Sequence, residues 1–364
     1  MTATLSPAPR RPRRARPGRW AAWPVWTPFA AAIWGVLHAV VQVIWAATGT
    51  AVPWTAHSHY APMVQFGLAL IAVLAAAACL SGTRRPARSG NVLIAATIPI
   101  FVPGMIGLPL HFVTLLSGAG VESATGLAHV LLNAGNVALL TLSVVTYRRR
   151  LRGTCARCGQ AHEHPRGGRL THPSASFASR RTRVVVYALM CGIVPWAGVK
   201  TIWTLGGDAL GVSAEQWRDA NADAPGPAKA LASVGIDVTV LAAMLAIFLL
   251  LGLMYRWGMA FPRWMPFLSR RRVPRLLPLI PAWTIAASLS VYGTGLTLYA
   301  PLSAVGVLPA PEPSGGFTGT GLAWMIEFGG LAFAGLGIGL IVAARSYAAR
   351  TRPICAAPAP RTAG

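Results

Sequence analysis

Ionisable and amide side chains interrupt several of the most apolar stretches of this sequence. An ionisable group inside a bilayer is costly, and proteins keep one there to bind an ion, to hold a polar ligand or to relay protons. The residues of this kind form a candidate ligand or ion site: His38, Gln42, His111, His129, Asn133, Lys200, Asp237 and Glu327. Such chemistry requires helices that hold these groups at one depth and turn them towards each other.

Helical spacing places some of these residues on common faces. Residues three and four positions apart lie on one side of a helix. Three such stripes occur: His38 with Gln42 and Trp45, His129 with Asn133 and Asn136, and Trp196 with Lys200 and Trp203. Each stripe predicts a surface that faces the interior of a helix bundle instead of lipid.

Two interpretations stay open for the charged residues. In the first, they line an outward-facing cavity, where Lys200 pairs with an anionic group or with Asp237 and Glu327 titrates. In the second, which the residues favour, the three charges are a buried staple between helices and the histidines are core residues with satisfied hydrogen bonds. A metal site formed by the three histidines of the candidate set would require three helices to converge.

A second group of metal-binding residue types lies in the central loop. Cys155 and Cys158 form a Cys-x-x-Cys pair, and His162 and His164 follow it. This spacing suits two zinc thiolates, with one or two histidine ligands added. The alternatives are a redox pair and an unliganded basic loop, and the loop is favoured. Cys355 is the repeat equivalent of Cys155, but Pro358 stands where Cys158 would recur, which argues against a metal site in the second copy.

The elements that must position these residues are membrane helices. Of the 364 residues, 54% are hydrophobic and 11% charged, and the mean hydropathy is +0.53. Soluble proteins carry about 25% charged residues. This composition excludes a soluble enzyme, a disordered basic tail and a disulfide-rich secreted scaffold. The formal charge of +23 therefore does not indicate a nucleic-acid partner.

The hydropathy pattern predicts an all-α integral membrane protein with eight transmembrane helices. A helix crosses a bilayer in about 20 apolar residues. The predicted spans are 26–48, 62–82, 91–117, 121–147, 184–206, 228–255, 277–300 and 320–344. The third contains Pro99, Pro103 and Pro109, and we expect it to be kinked.

The basic residues predict the orientation. With both termini in the cytoplasm, the inner segments hold 29 of the 32 Lys and Arg residues, whereas six of the nine acids fall in outer loops or at the outer end of a span. This distribution follows the positive-inside rule. We expect a multi-pass protein of the cell (plasma) membrane whose basic segments contact anionic lipids at the cytoplasmic face.

Three matches in the same order indicate an internal duplication. Residues 42–49 resemble 200–207, residues 125–128 and 320–323 both read Thr-Gly-Leu-Ala, and Tyr-x-x-Arg-x-Arg-x-x-Cys occurs at 147–155 and at 347–355. Each copy has four helices, an even number, so both copies begin on the same side of the membrane and form two parallel repeats. The predicted organisation is a basic N-terminal arm (1–25), a first repeat (26–147), a cytoplasmic linker (148–183), a second repeat (184–344) and a basic tail (345–364).

The end of the first helix in each copy resembles a motif of small bacterial four-helix membrane proteins. In that family the helix ends in His-x-x-Trp-Ala-x-Gly-Gly or a close variant. Here the first copy has Gln42, Trp45 and Gly49, and the second has Lys200 and Trp203, followed by two glycines at 206–207. The resemblance implies the four-helix unit, taken twice. The family has no assigned function, so no chemistry is carried over.

Three functional hypotheses follow. The first is a transporter or a binding protein for a small ligand or ion, with its polar site in the outer half of the bilayer. The second is a structural or accessory subunit that partners another membrane protein. A membrane enzyme is the third and least favoured hypothesis, because phosphate-loop, zinc-protease and nucleophile-elbow motifs are absent from the sequence. We expect no cofactor other than the zinc considered above.

Overall fold

A computed structural model shows the chain to be predominantly helical. It describes residues 23–55, 58–84, 87–116, 120–121, 123–155, 158–161, 170–220, 229–231, 237–263, 265, 268–269, 271–313 and 317–355. The structure is 74% helical and nearly all-α. This confirms the predicted fold class at that level, and four short strands are the exceptions.

The helices and strands follow one another in a simple order. The helices are α1 (Trp23–Thr48), α2 (Pro62–Arg84), α3 (Arg88–Phe101), α4 (Leu108–Leu116), α5 (Ala124–Leu151), α6 (Arg180–Met190), α7 (Ile193–Thr204), α8 (Ala214–Ala220), α9 (Val238–Met254), α10 (Leu276–Ala304) and α11 (Gly319–Arg350). The strands form two antiparallel pairs, β1 (Pro53–Thr55) with β2 (Ser58–His59) and β3 (Leu170–Thr171) with β4 (Ile354–Cys355).

The long helices are those of a multi-pass membrane protein. Among the described residues, six helical segments are long and apolar enough to cross a membrane, and α6 with α7 forms one of them. A seventh is obtained if the bent pair α3 and α4 is one span. The sequence predicts one more, at 228–255, and α9 provides 17 residues of it. At 1.5 Å per residue α9 is about 25 Å long, shorter than the hydrocarbon core of about 30 Å.

The predicted kink is confirmed in the third span. The two parts of this span are bent by 46° at a break near Val102. Pro103 begins a 3-10 turn there, because proline has no N–H to continue the α-helical ladder. The bend carries Phe101 and Gly104 across the face of α1 and α5, where the polar residues of the first half lie.

Each half of the chain has its own apolar core. In the first half α1 packs on α2 and α5, and in the second half α11 packs on α6, α7, α9 and α10. The halves meet where α10 contacts α4 and α5. Ser288 of α10 donates to the carbonyl oxygen of Ile106 at 2.9 Å, beside the break in the third span.

Glycines bring the helices of the second half into backbone contact. A Cβ atom on Gly293 of α10 would lie 2.1 Å from the backbone nitrogen of Ala334 on α11. A Cβ atom on Gly335 of α11 would lie 2.2 Å from the carbonyl oxygen of Leu189 on α6. Small residues at such crossings let membrane helices approach closely, so α11 is the central helix of this half.

Candidate functional site

Four polar side chains form a buried network in the first half. Gln42 Nε2 lies 3.1 Å from His38 Nε2 and 3.0 Å from His129 Nδ1, and so connects α1 to α5. Asn136 Nδ2 lies 2.5 Å from His38 Nδ1. His38 and Gln42 have no solvent-exposed surface, and His129 and Asn136 are 2% exposed. We call these four residues, together with Asn133, the histidine network.

The network has two self-consistent hydrogen-bond arrangements. A neutral imidazole has one N–H and one acceptor nitrogen, so the two amides beside His38 cannot both present their NH2 groups to it. In the first arrangement Asn136 presents its oxygen, Gln42 donates to both rings, and His129 carries its proton on Nε2. In the second, Gln42 presents its oxygen to both rings and His129 Nε2 becomes an acceptor. Half-turns of the Gln42 and Asn136 amides, with a change of tautomer in both rings, convert one arrangement into the other.

Three buried atoms of this network have no hydrogen-bond partner among the described residues. They are His129 Nε2, Gln42 Oε1 and Asn133 Oδ1. Asn133 Nδ2 donates to the carbonyl oxygen of His129 at 2.8 Å, which identifies Oδ1 as a true acceptor. Leaving such a group unsatisfied costs about 1–3 kcal/mol, and buried groups of this kind usually mark a bound water, ion or ligand.

Neighbouring elements position the network by close packing. A Cβ atom on Gly104 would lie 2.5 Å from Cγ of Asn133, so the 3-10 turn of the bent span has to carry a glycine here. The ring of Phe101 lies 5.4 Å from that of His38. Tyr60, just after β2, lies 4.5 Å from the ring of His129. The network is therefore covered from the bent span on one side and from the β1–β2 hairpin on another.

The second half has an ion pair between two of the predicted site residues. Lys200 Nζ lies 3.9 Å from Asp237 Oδ2, and the two side chains are 13% and 12% exposed. The other carboxylate oxygen, Oδ1, caps α9 by accepting from the backbone nitrogens of Thr239 at 2.7 Å and Val240 at 3.2 Å. Asp237 therefore lies at the start of a helix and not inside one, and both its oxygens have partners.

Tryptophans enclose Lys200. Its Nζ lies 4.0 Å from the ring centre of Trp217 on α8 and 5.9 Å from that of Trp196. Trp203 stacks on Trp217 at 4.6 Å. An ammonium group is attracted to the faces of such rings. The sequence pattern identifies the stripe on α7 but not the contribution of Trp217, because α8 lies in a polar loop.

Two predicted members lie apart from these groups. His111 is half-buried on α4 and takes no part in the histidine network. Glu327 on α11 has a buried, unpartnered Oε2 atom and forms no ion pair within the described part of the chain. Within the described part of the chain Glu327 is thus not ion-paired with Lys200, whereas the sequence places all three charges in one cluster.

The cysteines of the linker meet a third cysteine from the tail. The sulfur atoms of Cys155, Cys158 and Cys355 lie within 4.8 Å of one another. Burial and the neighbouring thiols raise the pKa of Cys355 to about 12. Of the predicted ligands, His162 and His164 lie outside the described residues. Among the described residues, these three cysteines are the one group of metal-binding side chains whose ligand atoms are spaced closely enough to hold a metal ion.

The end of the bundle that carries these cysteines is strongly basic, and we call it the basic face. A groove of about 400 Å³ lies there, lined by Val145, Arg148, Arg149, Arg152, Thr154, Gly159, Arg275, Ala348, Ala349 and Arg352. Burial and the charges of Arg149 and Arg352 lower the pKa of Arg275 to about 10. A second groove, of about 640 Å³, lies between the linker and α11. Neither groove is lined by a member of the candidate ligand site.

Comparison with known proteins finds no match to this chain among family models, curated proteins or solved structures.

Proposed function

We propose that the protein binds a small hydrogen-bonding solute or ion at the histidine network, within the membrane, and thereby functions as a transporter or ligand-binding protein. The observation that carries the proposal is the set of three buried, unpartnered atoms on His129, Gln42 and Asn133. A solute that donates hydrogen bonds would satisfy the Asn133 acceptor. The Gln42 amide can turn to make His129 an acceptor or a donor, so the site adapts to its occupant.

The chemistry of the site limits the class of ligand. The described members of the network are two imidazoles and three amides, so the site has no carboxylate to hold a metal dication and no cation to hold an anion. Neutral oxygen and nitrogen acceptors favour a small cation with N–H groups or a neutral hydrogen-bond donor. We therefore propose this class, with the ligand held by geometry and not by net charge.

The second candidate function is that of an accessory membrane subunit. The ion pair Lys200–Asp237 favours it, because both carboxylate oxygens of Asp237 are occupied by structural contacts. The polar residues of the second half then hold α7, α8 and α9 together. This interpretation accounts for the ion pair but leaves unexplained the unpartnered atoms of the first half and the unpartnered Oε2 atom of Glu327 in the second.

We further propose that the chain consists of two parallel four-helix repeats with eight spans and with both termini in the cytoplasm. Equivalent contacts support this arrangement. Arg150 lies 6.0 Å from the Tyr147 ring, and Arg350 lies 6.0 Å from the Tyr347 ring. Each arginine also donates to a carbonyl oxygen near the end of the second helix of its repeat, Thr83 in α2 and Leu253 in α9. Similar N-caps begin the last helix of each repeat, with a hydroxyl group accepting from a glycine nitrogen at 3.1 Å and 3.0 Å.

Thermal unfolding of the detergent-purified protein tests ligand binding. Ammonium and methylammonium chloride serve as probes that donate N–H bonds, and tetramethylammonium chloride carries the same charge without a donor. A ligand at ten times its Kd adds about 1.4 kcal/mol of stability. We expect a rise in the unfolding temperature with the two donors beyond the effect of tetramethylammonium.

Two variants test whether this difference in unfolding temperature arises at the histidine network. Asn133→Leu removes the free acceptor with little change in shape and should abolish the difference between the probes. His111→Gln changes a histidine outside the network and should retain it. Equal effects of all three salts on the unmodified protein, or an unchanged difference in Asn133→Leu, would contradict the proposal.

A further inference from the structure

The thiols of Cys155, Cys158 and Cys355 point to a metal site that joins the linker to the C-terminal tail. We propose that these three cysteines bind one Zn²⁺ ion. The sulfur atoms of Cys155 and Cys355 are 3.9 Å apart, and all three lie within 4.8 Å of one another. A tetrahedral ion with Zn–S bonds of about 2.3 Å holds its sulfur ligands roughly 3.8 Å apart. The three thiols are therefore already close to the positions of three zinc ligands.

The backbone around the first two cysteines is folded as a tight ligand loop. The nitrogen of Gly159 donates to the carbonyl oxygen of Cys155 at 2.7 Å, and the nitrogen of Gln160 lies 3.4 Å from Cys158 Sγ. An amide N–H aimed at a sulfur atom stabilises the thiolate that a metal requires. Gly159 has a φ of +69°, a conformation that a residue with a side chain rarely adopts. Local contacts of Gly159 and Gln160 thus hold the backbone near Cys155 and Cys158.

The third ligand comes from a residue 200 positions further along the chain. Strand β4 pairs with β3, and Cys355 lies opposite Leu170 in this register. The guanidinium group of Arg352 donates to the carbonyl oxygens of Cys158 and Gly159, with a distance of 2.6 Å to the first. Two independent contacts therefore hold the tail against the ligand loop and bring Cys355 to the pair.

The surroundings suit the charge of the complex. Three thiolates and one Zn²⁺ carry a net charge of −1, and the side chains of Arg149 and Arg352 lie against Gly159 at the same place. Thiolates favour soft ions such as zinc over Mg²⁺ or Ca²⁺. A disulfide between Cys155 and Cys355 would require the sulfur atoms to approach to about 2.05 Å, and no disulfide bond joins any of the five cysteines in the structure.

This site differs from the one that the sequence predicts. The sequence combines Cys155 and Cys158 with histidines of the same loop, and it assigns Cys355 no role in metal binding. In the structure the tail cysteine completes a set of three thiols. The site is independent of the histidine network, since it lies on the basic face and consists of different elements.

Metal analysis of the full-length protein tests the proposal. Protein purified with a thiol reductant and without chelator should contain about one zinc per chain by plasma mass spectrometry. Cys355→Ser should reduce this at least fivefold, and Cys355→His, which restores a ligand, should recover most of it. Cys191→Ser is the matched control, because Cys191 is exposed and outside the cluster, and it should retain the full content.

Cobalt substitution provides a second readout that does not depend on activity. Co²⁺ bound by three thiolates should give the intense visible absorption of a tetrahedral site, and Cys355→Ser should weaken it. Three results would overturn the proposal. They are no uptake of Zn²⁺ or Co²⁺ by the unmodified protein, full metal content in Cys355→Ser, and a Cys155–Cys355 disulfide in protein kept under reductant.

Discussion

At the scale of single residues, Gln42 and Asp237 show how one side chain can serve two partners. The Gln42 amide lies between two imidazoles, and its orientation determines which nitrogen of each ring carries the proton. Asp237 divides its oxygens between a helix N-terminus and the ammonium group of Lys200. The first residue leaves atoms free for a ligand, whereas the second leaves none. We therefore place ligand binding in the first half of the chain.

The double role of Asp237 can be separated by substitution. Asn caps a helix about as well as Asp, so Asp237→Asn should lose the ion pair and keep the cap. Asp237→Ala loses both and should be less stable than Asp237→Asn by about 1 kcal/mol. Denaturation followed by circular dichroism in detergent measures the difference. Equal stabilities of the two variants would show that the cap contributes nothing.

A double-variant cycle isolates the ion pair itself. Lys200→Met leaves the carboxylate of Asp237 half-buried without its cation. In the Asp237→Asn background the same change should cost less, with a coupling energy of about 0.5–3 kcal/mol. Additive effects would mean that the 3.9 Å contact makes no net contribution.

At the scale of elements, the bent third span is the part that shapes the histidine network. Its prolines end α3, and the 3-10 turn that follows carries the one residue type that leaves room for the Asn133 amide. α4 then continues at an angle and contacts α10 of the other half. The break therefore has two consequences: it makes room for the Asn133 amide in the polar network, and it directs α4 towards the other half of the chain.

A pair of glycine substitutions tests this role of the break. Gly104→Ala places a methyl group 2.5 Å from Cγ of Asn133 and should cost about 1–3 kcal/mol through overpacking. Gly90→Ala, in the preceding helix α3, meets nothing within 4 Å and should stabilise by about 0.5–1 kcal/mol. Unfolding midpoints of the two variants should therefore move in opposite directions. A Gly104→Ala protein as stable as the parent would contradict this account of the turn.

Particular elements also show which features can be predicted from sequence. The apolar runs and the three prolines are local signals, and they predict the membrane helices and the kink. Asp237-Val-Thr is a recognisable start of a helix, but the surrounding apolar run hides it. The lack of an ion pair between Glu327 and Lys200 among the described residues could not be predicted, because helical period specifies a face and not the rotation of one helix against another. The meeting of Cys355 with Cys155 depends on pairing across 200 residues.

At the scale of the whole molecule, the length of α9 decides the topology. If α9 crosses the membrane, and the bent pair α3 and α4 is one span, the chain has eight spans and its termini lie on the same side. If it does not, the C-terminus lies on the opposite side from the N-terminus. The 17 residues of α9 are short for a span, but helices of this length occur in membranes when flanking residues extend to the interface.

Reporter fusions distinguish the two topologies. We expect green fluorescent protein fused after residue 364 to fluoresce, because it folds in the cytoplasm. Alkaline phosphatase fused after residue 312, in the loop before α11, should be active because the proposed topology places that loop outside. The opposite result would be a dark green fluorescent protein fusion and an active alkaline phosphatase fusion at the C-terminus. It would indicate seven spans and exclude the proposed pair of four-helix repeats.

The contact between residues 155 and 355 also determines how the molecule carries mechanical load. A force that pulls the two ends of the chain apart passes from the tail to the linker through β3, β4 and the thiol cluster. The 200 residues between them form a closed loop that bears no tension until this contact ruptures. Rupture would release roughly 700 Å of contour length at about 3.6 Å per residue. We therefore expect the second half to bear less of the traction on the C-terminus than the first half.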